Sequence, residues 1–523
     1  MTRRVLDEKT DAEGGSEPKL APDVGAYNLR APRWLAWALV GVAALVFAAW
    51  LFLAVAHVDD RFQLDHVSGA RMALARYFDE GTLYPELYED GFYGGTRYMP
   101  VPIVLHGFLA ELTGEYLLSG KLLSYAAMIG LLAAMFVLLR RQGSPVPIAL
   151  ALPALVLTTQ TGLAAGMDIR GDALPLLLQV LAVGIVAGTA RPAPTVAAAA
   201  LAAIALLSKT SAVWAPVAIA IWLVGRDRRR LAVFLVAYVG IAGSLLVLFT
   251  ILTQGRMLEN VIGLSTSGIT GLRTVLFTPY RFVHLIVDVS ATAWAVVPLV
   301  ALAVWISLRR RSASIYVLSL VCALVVTLIV LIDAGTGWNQ LIDLVVLSAL
   351  VIGELVAGVR DDSSGLDRDA GRTVSSIVAL TLLWVTLTGF VVALVPPALE
   401  TARGEVTYDA EPLAGLGDTR ISVLSEDPYV PISLGQTPVV LDPFMLPRLA
   451  DKYPDAIPDL VERIETHEFD VVVLVQPLEP VDRPWWSDLD LGIDVARAIS
   501  REYAFVGRMQ GYYLYEPRVG TAT

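Results

Sequence analysis

One aspartate opens a polar stretch in a chain that is otherwise mostly apolar. The stretch Asp65–Pro85 reads DHVSGARMALARYFDEGTLYP and follows the first long apolar run. An aspartate at the start of a helix most simply caps that helix, which is worth about 1 kcal/mol. The alternative is a general base, because a carboxylate near the lipid boundary is partly desolvated and its pKa rises. The residues by themselves leave both interpretations of Asp65 open.

Two basic residues lie among apolar runs and could bind an anion. Arg170 is part of the short segment GMDIRGD, and Lys209 is part of IALLSKTSAVW. Arginine grips phosphate bidentately, and a lysine inside an apolar stretch is costly and usually marks function. For both residues the alternative is a side chain that snorkels to the lipid surface, and for Lys209 also one that forms a salt bridge. Asp168 and Asp172 flank Arg170 and either orient it or cap the next helix.

The sequence predicts neither a metal site nor a cofactor. The five histidines show no HxxxH or similar spacing, and no GxGxxG or P-loop opens a helix of the C-terminal part. His66 follows Asp65 directly, but adjacent residues of a helix point apart, so the two are not predicted to form a dyad. The histidines are His57, His66, His106, His284 and His467.

The composition is typical of a multi-pass membrane protein. Of 523 residues, 56% are hydrophobic and 17% are charged, whereas soluble domains carry about 25% charged residues. Mean hydropathy is +0.63. The apolar residues come in runs of about 20, the length that crosses a bilayer. The single cysteine, Cys322, can form no internal disulfide.

Hydropathy predicts about eleven spans. The pair at 194–208 and 211–226 is short and corresponds either to two tilted helices or to a re-entrant hairpin. The predicted spans lie near 33–57, 118–140, 146–165, 172–189, 194–208, 211–226, 231–253, 288–308, 314–332, 340–358 and 374–397.

The basic residues predict the orientation. Arg140-Arg141, Arg191, the run RDRRR, the run RRR and the arginines of 360–372 fall in alternate loops. Loops rich in arginine and lysine stay in the cytoplasm. The N-terminus is therefore predicted inside. Loops 58–117, 166–171, 254–287 and 333–339, and everything after about 398, are predicted outside the cytoplasm.

The chain divides into three predicted parts. Residues 1–32 are polar and rich in Gly, Pro and charge, and are predicted to form a disordered cytoplasmic tail. Residues 33–397 form the transmembrane domain. Residues 398–523 are predicted to form a small α/β domain outside the cytoplasm, because short apolar strands alternate there with amphipathic helices. The strands are RISVLSED, TPVVLDP and DVVVLVQP, the helices lie in PDAIPDLVERIETHEF and DLGIDVARAISREY, and AFVGRMQGYYLYEP is a last strand or hairpin.

Loop 58–117 is predicted to carry surface helices. Asp65 stands at an N-cap position and Gly81 at a stop, so a helix lies between them with its apolar face on the membrane. A second apolar helix over 101–113 is too short to span. The apolar stripe of the first helix consists of Val67, Ala70, Leu74, Tyr77 and Phe78.

The order of several motifs resembles the polyprenyl-phosphate-sugar-dependent membrane glycosyltransferases of the GT-C superfamily, and in particular its PMT/ArnT-like group. After the aspartate and helix come G-x-LYP, RYMPVP, LTG and GKLLS. MDIRGDALPLLLQ is similar to an outer loop of that group, and LLSKTSAVWAP is similar to its lysine-containing stretch. GTGWNQLIDLVVLSAL is similar to the start of one of its helices. There Trp338-Asn339 replaces an Asn-Tyr core, and Asp343 stands near the acidic position. The resemblance covers most of 33–397.

The resemblance implies a GT-C-like α-helical polytopic membrane fold and a role for each motif residue. The loop aspartate of the family is its catalytic base, and Asp65 matches it, with Asp59 and Asp60 as competitors. Arg170 and Lys209 would bind the donor phosphate. Further possible substrate contacts are Asp60, Tyr84, Arg97, Asp168, Arg281, His284 and Asn339, of which Arg281 and His284 lie in a loop that could cover the lipid donor.

The implied function is transfer of a sugar, with inversion, from a polyprenyl-phosphate donor to a glycan, glycolipid or protein acceptor outside the cytoplasm. The implied location is the plasma membrane, and no nucleic acid, cofactor or metal is predicted. The alternatives are a transporter or flippase of lipid-linked sugars and a scaffold protein. A transporter should show repeated halves with broken helices at the midplane, and the sequence shows no such symmetry. In the C-terminal part, Glu426, Asp427, Tyr429 and Asp442 could hold an acceptor, but loop capping is the favoured interpretation.

Overall fold

The computed structural model shows a bundle of apolar helices followed by a smaller unit of strands and short helices. The predicted disordered tail falls, except for its last residue, outside the described part of the chain. The described residues are 32–89, 91–265, 272–290, 292–309, 314–333, 335–360, 368–405, 408–413, 421–486 and 490–518.

Helices account for most of the described residues. In chain order they are α1 (Arg33–Ala56), α2 (His66–Asp79), α3 (Pro100–Thr113), α4 (Tyr116–Arg141), α5 (Val146–Leu157), α6 (Gln160–Met167), α7 (Ala173–Gly188), α8 (Pro192–Leu206), α9 (Trp214–Val224), α10 (Arg228–Leu252), α11 (Arg256–Ser265), α12 (Leu272–Val289), α13 (Ala293–Arg309), α14 (Ile315–Val330), α15 (Ile342–Arg360), α16 (Arg368–Gly389), α17 (Val395–Arg403), α18 (Tyr429–Ser433), α19 (Leu446–Ala450), α20 (Ala456–Glu465) and α21 (Ile493–Glu502).

Every predicted span overlaps an apolar helix, but several of these helices are short. Among the described residues, five helices are long and apolar enough to cross a membrane, or up to seven if each of two bent pairs is one span. Helices α7, α8, α9 and α14 have only 11 to 16 residues, and a straight span needs about 20. The chain is thus a multi-pass membrane protein, and the count of eleven stays a prediction.

The predicted span at 146–165 is bent, because the chain turns there by 78° between α5 and α6. The break falls at Thr158 and Thr159, and the Thr159 hydroxyl oxygen accepts a hydrogen bond from the Gly162 amide at 3.1 Å, which starts the new helix. Helix α6 then ends at Met167. The segment 168–172 therefore joins two short helices at one end of the bundle.

Helix α2 begins at His66, directly after Asp65, as the sequence predicts. It does not simply rest on the membrane with one apolar face down, because it packs between α3 on one side and α18 of the C-terminal unit on the other. At Gly107 of α3, a Cβ atom would collide with the Phe78 ring. At Gly69, a Cβ atom would lie 2.6 Å from the Tyr429 amide nitrogen. Glycines at both faces thus allow close packing.

The C-terminal unit is built on one four-stranded sheet of order β3-β4-β6-β5. Strands β3 and β4 are parallel, and the other two pairs are antiparallel. The two predicted helices appear as α20 and α21, and the last predicted strand or hairpin is the β5-β6 hairpin. The strands are β1 (Tyr88–Glu89), β2 (Phe92–Tyr93), β3 (Val423–Ser425), β4 (Val471–Leu474), β5 (Tyr503–Met509) and β6 (Tyr512–Pro517).

The predicted strand TPVVLDP is wrong as a strand of this sheet. Its residue Val440 forms a single bridge with Tyr93 of the β1-β2 hairpin in loop 58–117. Two backbone hydrogen bonds of 2.9 Å hold the bridge, from Tyr93 N to Val439 O and from Leu441 N to Tyr93 O. This segment therefore joins the C-terminal unit to the loop that carries Asp65.

Candidate active site

Asp65 uses its two carboxylate oxygens differently. Its Oδ1 caps α2, accepting hydrogen bonds from the amides of Val67 at 3.0 Å and Ser68 at 3.4 Å. Its Oδ2 makes an ion pair with Arg170, and 34% of the side chain is exposed. The capping interpretation is therefore correct for one oxygen. The other oxygen is bound to Arg170 and so belongs to a charged cluster.

The segment 168–172 supplies the centre of this cluster. Besides Asp65, Arg170 lies 3.9 Å from Asp168 and 3.7 Å from Asp172, measured from its guanidinium nitrogens to the carboxylate oxygens. Its guanidinium carbon lies 5.6 Å from the centre of the Trp338 ring. Asp168 accepts a hydrogen bond from the Ser68 hydroxyl. Asp168 and Ser68 thus tie this segment to the first turn of α2.

Lys209 and Asn339 complete the cluster on the side of Asp172. The Lys209 ammonium nitrogen lies 2.6 Å from Asp172 Oδ1, and the Asn339 amide nitrogen donates to Asp172 Oδ2 at 3.4 Å. Lys209 lies in the turn between α8 and α9, and Asn339 in a 3₁₀ turn before α15. Sequence reasoning singled out all of these residues, and the fold brings them together. Lys209 is nevertheless already the partner of a buried carboxylate.

Sequence reasoning missed Arg71, a residue of α2. Its guanidinium carbon lies 4.4 Å from the centre of the Tyr98 ring, and a Cβ atom at Gly171 would lie 2.6 Å from its Nη1. Its Nε is buried and makes no hydrogen bond with any described residue. The signal was in the sequence, because Arg71 is four residues after Val67 and three before Leu74. That spacing puts an arginine on the apolar stripe itself.

The carboxylates of 168–172 differ in their electrostatics. Burial, reinforced by the charge of Asp65, raises the pKa of Asp168 well above its ordinary value. Burial would also raise the pKa of Asp172, but the charges of Lys209 and Arg170 outweigh it and lower that pKa. Asp172 is therefore ionised at neutral pH. It holds its cations in place, whereas Asp168 ionises less readily.

Asp60 is tied into a different cluster. Its Oδ2 lies 2.5 Å from His57 Nδ1, its Oδ1 accepts from the Phe62 amide at 2.8 Å, and Lys121 lies 3.9 Å away. The other nitrogen of the His57 ring lies 2.7 Å from the Thr401 hydroxyl. These contacts anchor the end of α1 to α17 and α4. Both oxygens of Asp60 thus have partners in this second cluster, whereas Oδ2 of Asp65 is paired with Arg170.

Tyr84 and Arg97 lie near the cluster without joining it. The buried Tyr84 hydroxyl donates to the Tyr98 carbonyl at 2.7 Å, which positions the ring that packs on Arg71. Arg97 pairs with Asp333, and its guanidinium carbon lies 5.0 Å from the centre of the Phe444 ring. Among these contacts neither residue touches Asp65 or Arg170.

Arg281 and His284 lie on α12, where Arg281 contacts the chain before Asn339 and His284 contacts its own helix. Arg281 donates to the carbonyls of Leu331, at 3.1 Å, and Asp333, at 2.7 Å. This fastens α12 to the segment before Asn339. The His284 side chain is 65% exposed and lies 3.5 Å from Asp288 on its own helix. The structure therefore gives Arg281 an anchoring position and gives His284 no contact with the cluster.

Buried carboxyl groups of the C-terminal unit face α2 near His66. Glu426 accepts from the Val475 amide at 2.7 Å and from the Trp485 indole at 2.8 Å, and burial raises its pKa to about 7. Burial and the neighbouring Glu426 raise the pKa of Asp490 well above its usual range. Asp427 and Asp442 each accept a backbone amide two residues ahead, as loop caps do.

No group of three or more His, Cys, Asp or Glu side chains is placed to hold a metal ion in the described part of the chain.

Comparisons with known proteins identify the fold. No protein-family model and no curated protein matches the sequence. The structure is similar to ArnT from Cupriavidus metallidurans bound to undecaprenyl phosphate, with a TM-score of 0.56 and 14% sequence identity over 92% of this chain and 98% of that chain. The apo state of that ArnT has a TM-score of 0.56 and 14% sequence identity, over 91% of this chain and 97% of that chain.

A second solved protein shows the same architecture. The apo oligosaccharyltransferase of Archaeoglobus fulgidus has a TM-score of 0.51 and 12% identity, over 93% of this chain and 75% of that chain. At such identities the similarity concerns the fold. This chain has the same polytopic membrane fold as these two proteins, which confirms at the level of the fold the resemblance to the GT-C superfamily noted in the sequence.

Proposed function

We propose that this protein is a membrane glycosyltransferase that moves a sugar from a polyprenyl-phosphate donor to an acceptor hydroxyl outside the cytoplasm. The main observation that supports this proposal is the ion pair between Asp65 Oδ2 and Arg170, where loop 58–117 meets segment 168–172. A base and a phosphate-binding cation must be neighbours to serve one displacement. The fold supports the proposal, because ArnT, which was solved with undecaprenyl phosphate, shares it.

The reaction would proceed as a single inverting displacement. The acceptor oxygen forms a bond to the anomeric carbon while the bond from that carbon to the phosphate oxygen breaks. Asp65 Oδ2 takes the proton of the acceptor hydroxyl, and the phosphate leaves with the bonding electron pair. Arg170 stabilises the charge that develops on the leaving phosphate.

The resting ion pair between Asp65 and Arg170 fits this sequence of events. An incoming phosphate competes for the guanidinium, because charge-assisted bonds to phosphate are strong. As Arg170 turns toward the phosphate, Oδ2 becomes free to accept a proton. The cap on Oδ1 meanwhile holds the carboxylate in place. Asp172 and Lys209 would keep Arg170 positioned, and the acceptor would enter from the side of the C-terminal unit.

The deciding experiment is sugar transfer in membranes that contain wild-type protein, Asp65→Asn or Asp65→Ala, supplied with a panel of radiolabelled polyprenyl-phosphate sugars. The matched control is Asp60→Asn, which removes a charge from the same loop but not from the cluster. We expect transfer by wild type, a loss of about 10²-fold or more in both Asp65 variants, and retained transfer in the control. Transfer that survives in both Asp65 variants would remove this residue from the mechanism.

A further inference from the structure

One aromatic side chain of the C-terminal unit contacts the segment that carries Trp338 and Asn339. This side chain is Phe444, which lies in the 3₁₀ turn Pro443–Met445. A Cβ atom at Gly335 would lie 1.8 Å from Phe444 Cζ and 2.6 Å from each of its two Cε atoms. The tip of the ring therefore lies directly on the backbone of Gly335, and a larger residue at this position would displace the ring or the segment.

Two arginines hold the Phe444 ring in this place. The guanidinium carbons of Arg97 and Arg448 lie 5.0 Å and 3.7 Å from the centre of the ring, within the range of cation–π contacts. Arg448 also donates to the Phe444 carbonyl at 2.5 Å, and Asp442 accepts from the Phe444 amide at 3.2 Å. The side chain and the backbone of Phe444 are thus both fixed, by the C-terminal unit and by Arg97 of loop 58–117.

The chain just before Gly335 is anchored to other parts of the molecule. Asp333 pairs with Arg97, and its Oδ1 accepts from the Gly335 amide at 2.9 Å. The Asp333 carbonyl accepts from Arg281 of α12 at 2.7 Å. Loop 58–117, α12 and the C-terminal unit therefore all meet at this segment and set its position.

The same segment enters the candidate active site three residues after Gly335. The centre of the Trp338 ring lies 5.6 Å from the guanidinium carbon of Arg170, and the Asn339 amide donates to Asp172 Oδ2 at 3.4 Å. Three residues span at most about 10 Å. A displacement of Gly335 will therefore move the ring that restricts the positions of the Arg170 guanidinium.

We infer that Phe444 is a positioning residue for Arg170, and that the cluster takes its working geometry only while the C-terminal unit packs on Gly335. The contacts above join Phe444 to Gly335 and not to the cluster itself, so its effect must pass through Trp338. The inference rests on the proposed function for the role of Arg170. It deepens that function by giving the C-terminal unit a regulatory part in the same site.

The first test is hydrogen exchange of the full-length protein in vesicles, followed by mass spectrometry on peptides from 335–342. Phe444→Leu removes the three ring atoms nearest to Gly335 and should speed exchange in these peptides about tenfold. The matched control is Phe469→Leu, the same truncation at a buried phenylalanine elsewhere in the C-terminal unit. Unchanged exchange in Phe444→Leu overturns the inference, and so does equal acceleration in both variants, which would indicate general loosening of the unit.

The second test is kcat for sugar transfer in two backgrounds. Phe444→Leu should lower kcat about tenfold or more, because small misplacements of a group at the reacting centre are costly. In an Arg170→Gln background the same change should cause no further loss, since it acts through Arg170. A further loss of the same size in that background would show a merely structural role and overturn the inference.

A compensating pair tests the contact between Phe444 and Gly335 directly. Gly335→Ala should reproduce the loss of kcat, because its Cβ would collide with the ring. The double variant Gly335→Ala/Phe444→Leu should be no worse than Phe444→Leu alone, because leucine lacks the Cζ and Cε atoms that this Cβ would meet. Losses that multiply in the double variant overturn the inference.

The two kinds of measurement separate this inference from the proposed function. Faster exchange in Phe444→Leu, without sugar transfer by wild type from any donor, supports the link to the C-terminal unit and refutes the transferase. Transfer by wild type together with unchanged exchange in Phe444→Leu refutes the link alone.

Discussion

At the scale of single residues, Asp65 and Asp172 each use their two carboxylate oxygens to bind different partners. Asp65 gives one oxygen to the cap of α2 and the other to Arg170. Asp172 gives one oxygen to Lys209 and the other to Asn339. One contact thus fixes the orientation of each carboxylate, and the second oxygen binds another residue of the cluster. This arrangement makes distinct predictions for the two cations.

Arg170→Gln should remove the charge that stabilises the leaving phosphate. We expect kcat to fall by about 10²–10³-fold. Arg170→Lys should recover part of this loss, because it keeps the charge but not the bidentate geometry. Kinetics with saturating donor in reconstituted vesicles measure the effect. Equal kcat for Gln, Lys and wild type would show that Arg170 has no role in the chemical step.

Lys209→Met should impair the protein by leaving the buried Asp172 without its closest cation, at a cost of up to about 3–5 kcal/mol, of which Arg170 at 3.7 Å offsets a part. The double variant Lys209→Met/Asp172→Asn removes the undercompensated charge and should recover stability and part of the transfer. Thermal unfolding and transfer rates, arranged as a double-mutant cycle, measure the coupling. Strictly additive losses would contradict the pairing and favour Lys209 as a direct phosphate ligand.

At the scale of elements, α2 joins the membrane helices to the C-terminal unit. It packs on α3 through Phe78 and Gly107, and on α18 through Gly69. The bridge between Tyr93 and Val440 adds a backbone link between the same two parts. The position of the Asp65 cap therefore depends on how closely α2 and α18 approach.

Gly69→Ala should push α18 away from α2, because its Cβ would lie 2.6 Å from the Tyr429 amide nitrogen. We expect a destabilisation of about 1–3 kcal/mol and faster proteolysis of the C-terminal unit. Gly41→Ala in α1 is the matched control, since nothing lies within 4 Å of its Cβ position. A Gly69→Ala protein with unchanged unfolding and proteolysis would show that this contact is not tight.

At the scale of the whole molecule, two clusters of charge flank the surface where membrane helices and C-terminal unit meet. One surrounds Arg170, and the other consists of buried carboxyl groups, with Glu426 and Asp490 as neighbours. The pKa values of Glu426 and Asp490 are raised, first of all by burial. The stability of the C-terminal unit should therefore respond to pH.

Glu426 should make the C-terminal unit less stable as pH rises. Burial raises its pKa from 4.5 to about 7, so the folded state keeps a proton that the unfolded state has lost between these values. Stability from this group is full below pH 4.5 and falls by about 3 kcal/mol up to pH 7. Hydrogen exchange of the Val472 and Val473 amides in the full-length protein, followed as a function of pH, measures this change in stability.

The matched variant is Glu426→Gln, which keeps oxygen as acceptor for the Val475 amide but cannot ionise. It should flatten this part of the pH dependence. Asp490 still contributes in the same direction, because its pKa is also raised. Identical pH profiles for wild type and variant would show that Glu426 does not titrate in this range.

The sequence by itself determined the membrane character, the main helices and the candidates of the cluster. Long apolar runs have few alternatives to membrane helices, and charged residues beside them are costly enough to stand out. Arg170 and Lys209 were found in this way, Asp65 by its position at the start of a helix, and Asn339 by the family resemblance of its motif. The α/β alternation at the C-terminus likewise predicted α20, α21 and the β5-β6 hairpin.

Only the tertiary structure decided which of these residues meet. Asp60 and Asp65 are close in sequence, yet one pairs with His57 and the other with Arg170. Arg71 lies on the apolar stripe of α2, but only the fold shows that Tyr98 and Gly171 enclose it. TPVVLDP has the composition of a strand, but its partner is a hairpin more than 300 residues away in sequence. Local propensity cannot encode such long-range contacts, because they depend on the packing of elements that only the complete fold brings together.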